Sequence, residues 1–265
     1  MVEILVPNIK DLISEKELQQ LENLLSTLLT ENVILGTNRV AGKLELTATS
    51  AEIVKKTLRS FYNSNQYKKS IAKYLINVKN IGENNRSLYS DAGLKIEQSA
   101  ISNNQKLAIS EHLAYLEEAG LNANFNQPLR QIIYSNINAG ISQNGLEAKL
   151  KEYISGGKDQ SGKLSKYVKQ VAIQGADAYN SILDQKITDK YIDKIKGFTV
   201  LGSLIETSSP QCQYCVKDLN RLITRDDFTE IKKRAIGLID GTTFENLPTN
   251  KLHWGCRHSF VPRLT

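Results

Sequence analysis

The chain has 265 residues, 40% of them hydrophobic and 23% charged, with 34 basic and 28 acidic side chains giving a net charge of +6. These proportions suit a folded protein of one large or two modest domains and exclude global disorder. The basic excess is mild and holds no dense Lys/Arg run, so nothing resembles a nucleic-acid-binding tail; nor does any apolar stretch approach the roughly 20 residues needed to span a bilayer.

The first two thirds read as helices. Ser14 and Glu17 have capping-box spacing, and Leu18, Leu21, Leu25 and Leu28 then share a helical face that Leu24 and Leu29 widen. Gly36 and Gly42 interrupt the pattern, and Lys43 to Thr47 alternates as a short strand would. A second capping box at Thr49 and Glu52 predicts a helix through Val54, Leu58 and Phe61, ended near Asn63–Asn65. Tyr67 to Val78 repeats at helical spacing. Residues 80–104 are less periodic, rich in Asn and Ser, and read as the weakest-packed stretch and a boundary. Helical signal returns at Ile109, Leu113 and Leu116, with Gly120 as its stop.

Pro128 opens the next helix, which Gly140 closes, and Ser142 caps another through Leu146, Leu150 and Ile154. Gly156 to Gly162 reads as a flexible turn, because it lacks the Lys-Ser/Thr ending of a phosphate-binding loop and no strand precedes it. A long helix follows from about Leu164 to Gln185, with a narrow stripe through Val168, Ala172, Gly175 and Ala178. Phe198 to Ile205 has strand composition, Thr224 to Ile236 reverts to helix, and His258 to Val261 reads as a closing strand that Pro262 ends. The fold class expected is mainly α, with a small C-terminal α+β zinc-knuckle module. Three regions result: helical residues 1–95, helical residues 96–196, and the module at 197–265.

All three cysteines and two of the three histidines lie in that last region, as Cys212-Gln-Tyr-Cys215 and His253-Trp-Gly-Cys256-Arg-His258. Two such pairs supply the four ligands of one tetrahedral zinc, and a small module with little core of its own gains folding free energy from a closed site. Cys212, Cys215 and Cys256 are the first three candidates. His253 has the two-residue spacing to Cys256, and His258 is the alternative fourth. A redox Cys-x-x-Cys would need a thioredoxin-type context that is absent, and a catalytic zinc would need a general base, for which Asp218 and Glu206 are the nearby carboxylates. Cysteines without a metal, reduced and buried as small apolar groups, are the third rival reading. Asp226 and Asp227 read as a helix N-terminus. Three cysteines do not form a disulfide scaffold, and Met1 to Pro7 lacks the features of a signal peptide, so a reducing cytoplasm is expected.

The stretch Thr207 to Cys215, with Leu252 to His258 and a terminal Val-Pro-Arg, resembles the phage head-morphogenesis family, the minor head proteins of the Mu F type. That family ends in Cys-x-x-Cys and then His-Pro-x-Cys-Arg-Cys. Leu129 to Ile154, turning at Gly140-Ile-Ser142, and the long helix from Tyr167 to Leu183 are also similar, so the likeness covers roughly the last half of the chain. Here His258 replaces the family's last Cys, Trp254 its Pro, and Ala172-Ile-Gln-Gly175 its Arg-Thr-Glu element. The resemblance implies a low-copy component of the virion head, made in the host cytoplasm and associated with the phage portal protein and other capsid proteins. Contact with packaged DNA would be weak, and a membrane is not involved. The ligand spacing, with no catalytic constellation beside it, leads to the expectation of a non-enzymatic protein with one structural zinc. The competing expectations are a zinc-containing phage nuclease or toxin, and a zinc-ribbon nucleic-acid-binding protein using Lys232, Lys233, Arg234 and Arg257.

Overall fold

The computed structural model describes residues 8–35, 39–40, 43–45, 47–157, 160–204, 208–233, 240–253, 256 and 258–264. Gly36, Gly42, Ile205, Glu206, Thr207, Arg234, Ile236, Trp254 and Arg257 lie outside them. In chain order the elements are α1 (Ile9–Leu12), α2 (Glu15–Leu29), β1 (Arg39–Val40), β2 (Lys43–Leu44), α3 (Ala48–Asn63), α4 (Asn65–Asp91), α5 (Ser99–Leu116), α6 (Glu118–Leu121), α7 (Gln127–Asn138), α8 (Gln143–Ser155), β3 (Gly156–Gly157), β4 (Gln160–Ser161) and α9 (Lys163–Tyr191). They continue with β5 (Ile195–Leu201), α10 (Pro210–Gln213), β6 (Leu222–Ile223), α11 (Arg225–Lys233), α12 (Leu247–Asn250) and β7 (Ser259–Leu264). The protein is mainly helical, with a small C-terminal antiparallel sheet.

Two compact units divide the described residues. The helical unit comprises residues 8–77 and 111–173; the C-terminal unit comprises 78–110 and 174–265. Helices α4, α5 and α9 contribute residues to both.

In the helical unit, Ser14 caps α2 in the expected box, its side chain accepting from the Glu17 backbone N–H while Glu17 reaches back to the Ser14 N–H at 2.9 Å. Leu18, Leu21, Leu25 and Leu29 form the buried stripe, and Leu28 falls at its margin. The second box lies two residues earlier than the sequence predicts. Thr47 and Ser50 make it, and α3 starts at Ala48, which places Thr49 and Glu52 on the solvent side. The expected strand at 43–47 is reduced to a two-residue pairing of β1 with β2. Gly120 is not a helix stop: it lies inside α6, where a Cβ would meet the Ala114 carbonyl at 2.3 Å. Pro128 and Ser142 take their expected first-turn and cap positions in α7 and α8, and Gly140 turns the chain between them with φ +70°. In the stretch expected as a turn at 156–162, β3 and β4 pair antiparallel over two residues each.

In the C-terminal unit, the stretch expected to be poorly packed is largely helical. α4 runs to Asp91 and α5 begins at Ser99, and Tyr89, Leu94 and Ile101 are buried against Leu183 and Ile187 of α9. The sheet has the order β6-β5-β7, both pairings antiparallel. β7 does not stop at Pro262. It continues to Leu264, with Pro262 opposite Phe198. An edge strand tolerates proline because the missing N–H need not enter a ladder. The sheet's apolar face, α11 and α12 enclose a core of Phe198, Val200, Ile223, Phe228, Ile231, Phe244, Leu247 and Phe260.

Candidate metal centre

Two segments of the C-terminal unit bring the thiols and imidazoles together. The first is α10. Ser209 caps it, its hydroxyl accepting from the Cys212 N–H at 3.2 Å, and Pro210 occupies the first turn. Cys212 is thereby fixed on a short helix, and Cys215 follows in a π-helical turn at Tyr214–Asp218. That turn reverses through Asn220 and Arg221, both at positive φ, and the Arg221 N–H closes it on the Cys215 carbonyl at 3.0 Å. The second segment leaves α12. Leu252 is buried, and the Cys256 N–H donates to the His253 carbonyl at 3.1 Å.

Cys212, His253 and Cys256 converge, their ligand atoms all lying within 4.8 Å of one another. Cys212 Sγ is 3.8 Å from Cys256 Sγ and 3.0 Å from His253 Nε2. Two thiolates bound at about 2.3 Å to one tetrahedral zinc lie about 3.8 Å apart, so the sulfur pair already has a zinc-site spacing. The imidazole is somewhat closer than a shared zinc would hold it, at a thiol–imidazole hydrogen-bond distance. Donor chemistry and spacing both fit zinc.

The other two candidates stand beside this triad. His258 is buried, with Nδ1 3.9 Å from Cys256 Sγ and no hydrogen-bond partner for Nε2 among the described residues. Cys215 is fully buried among the apolar side chains of the core. None of the three cysteines forms a disulfide with another.

The electrostatics separate the thiols. Cys256 is held far below the usual thiol range, first by the hydrogen bond from Cys212 and then by His253 and His258. Cys212 is pushed up by donating that bond and by burial. Burial pushes Cys215 up to about 12. Binding a metal would require both sulfurs as thiolates, so affinity at this site would depend on pH.

Of the carboxylates considered as general bases, Asp218 is exposed. Asp227 serves the N-terminus of α11, accepting from the Thr224 N–H at 2.9 Å and hydroxyl at 2.6 Å. Lys233 pairs with Glu230 at 2.6 Å, and Lys232 lies over the Phe228 ring.

One feature escapes the sequence. Lys251, two residues before His253, reaches α9: its ammonium donates to Asp177 at 2.8 Å, to Ser181 at 3.4 Å and to the His258 carbonyl at 3.1 Å. Ser259 donates to the other Asp177 oxygen. Both sides of the second ligand segment are therefore tied to one carboxylate. The only sequence signal is an acidic residue interrupting the small-residue stripe of α9. Comparison of the chain with family models, curated proteins and solved structures finds no match.

Proposed function

We propose that the chain is a minor head protein of a tailed bacteriophage, associated with the portal and acting in head assembly and in DNA packaging or ejection. In this reading the C-terminal module is a structural zinc knuckle. Cys212, His253 and Cys256 hold the ion, with the fourth place taken from Cys215 or His258, and the ion cross-links two segments that are far apart in sequence. The observation carrying the proposal is the convergence of these three side chains at zinc-site spacing, in the stretch whose sequence resembles the end of the head-morphogenesis family. A mainly helical body ahead of a small antiparallel module supports it. The mild net charge of +6 suits at most weak contact with packaged DNA.

Co-expression of the full chain with the portal protein encoded in the same genome tests the assignment. A complex that co-elutes in size-exclusion chromatography is expected. Separate elution, or a genome with no portal protein, would overturn it.

A further inference from the structure

The helical unit holds a groove of about 900 Å³, remote in chemistry from the cysteines. Its floor is apolar: Ile71 and Leu75 of α4 and Leu113 of α5, with the small exposed Ala72 leaving room above them. The line of α4 continues one turn on to Ile76, which is 57% exposed. From Tyr67 to Leu75 the helix rises about 12 Å, which spans the i, i+3/i+4 and i+7 anchors of a partner helix.

The rim is cationic. Lys55, Arg59, Lys68 and Arg130 line the groove against Glu117 and Glu118. Arg59 is paired with Glu118 at 3.6 Å, and Arg130 is spent on the Asn122 side chain and the Asn126 carbonyl. Lys55 and Lys68 have no ion pair among the described residues, and Glu117 is the one unpaired carboxylate beside them. The polar groups within are otherwise satisfied internally, Tyr62 by Asn126 at 2.6 Å and Tyr67 by the Leu116 carbonyl. What is left for an occupant is an apolar trough with a positive edge.

We infer that this groove docks an amphipathic helix of a partner protein whose apolar ridge is flanked by acidic residues. The ridge fills the trough over Ile71, Leu75 and Leu113, and the carboxylates meet Lys55 and Lys68. Burial of the ridge gives the affinity, and the charge of the rim selects the sign of the flanks. This assignment is independent of the metal centre and does not require the partner to be a portal.

The test uses the full chain and two labelled 18-residue peptides sharing one leucine ridge at helical spacing, one flanked by glutamates and the other by lysines, followed by fluorescence anisotropy. The acidic peptide should bind at least tenfold more tightly. Ala72→Glu, at an exposed position that leaves the fold intact by circular dichroism, should weaken it at least tenfold. Lys55→Glu with Lys68→Glu should reverse the preference. Binding of neither peptide, equal binding of both, or indifference to Ala72→Glu would overturn the inference. So would displacement of the acidic peptide by oleate at stoichiometric concentration, or a concentration-dependent dimer of the chain alone that Ala72→Glu abolishes, since these assign the groove to a lipid or to a second copy.

Discussion

Lys251 adopts φ 60° and ψ −179°, a backbone conformation that residues with a side chain rarely hold. Its ammonium offsets that cost through Asp177, Ser181 and the His258 carbonyl, so one strained residue fixes where the chain enters the ligand segment. Below it on α9, Asp184 is fully buried and accepts from the Tyr89 hydroxyl at 2.6 Å. Burial pushes its carboxyl up to about 7; Tyr89 and the Lys251 ammonium work against that rise, and Asp177 adds to it. Because the folded state holds the proton more tightly than the unfolded chain, this stability is complete below about pH 4 and is lost as pH rises towards 7. Between pH 4.5 and 8 the natural chain should therefore lose about 2–4 kcal/mol of unfolding free energy relative to Asp184→Asn, which has no proton to lose there. Urea unfolding at the two pH values measures it, and equal changes in both proteins would refute the linkage. Cys212, His253 and Cys256 were legible as candidate ligands because thiolate and imidazole at two-residue spacing have few other uses. Lys251 was not, because its partner Asp177 is 74 residues away and a Lys–Asp contact leaves no mark on local sequence.

Elements whose ends are set by local chemistry were read well from sequence. The Ser14 box, Pro128, Gly140 and Ser142 each act within a turn of themselves. The box at Thr47 and Ser50 was missed because hydroxyl residues crowd the stretch from Thr47 to Ser50, and only the course of the chain out of β2 selects among them. The helical character of 80–104 was missed for another reason. Its buried face is partly polar: Asn85 donates to Asn180 at 3.2 Å, and Gln105 to the Tyr179 carbonyl at 3.3 Å. A face that packs through amides has no hydrophobic period to detect. Within the sheet, Gly197 lies at the irregularity in the β5–β7 ladder, and a Cβ there would come within 2.4 Å of the Ile223 carbonyl of β6. Gly197→Ala should push β6 away from β5 and cost about 1–3 kcal/mol. Thermal or urea unfolding reports the loss, together with faster amide exchange at Ile223; an unchanged midpoint would show that the strand yields freely.

At the scale of the whole molecule, the core of Phe198, Ile231, Phe244 and Phe260 draws all its members from residues 192–264. A fragment of residues 192–265 therefore keeps that core and every candidate ligand but loses Asp177. It should fold only with about one equivalent of zinc, unfold on chelation, and fail to fold as Cys212→Ser, because metal binding supplies folding free energy to so small a module. Circular dichroism with elemental analysis checks this, and a fragment equally folded with and without zinc would remove the structural role of the metal. The division into two discontinuous units was not legible, since no break in composition marks residues 77, 110 or 173. That division also fixes an order of events on the ribosome. Residues 78–110 emerge before the 63 residues of 111–173, which belong to the other unit, and their partners in α9 follow from residue 174 onward. At 5–20 residues per second, the partly polar face of α4 and α5 waits about 3–13 s for α9 to complete it. The amides of Asn85 and Gln105 can spend that interval hydrated, which leaves the waiting face less apolar surface for premature association than leucines at the same positions would.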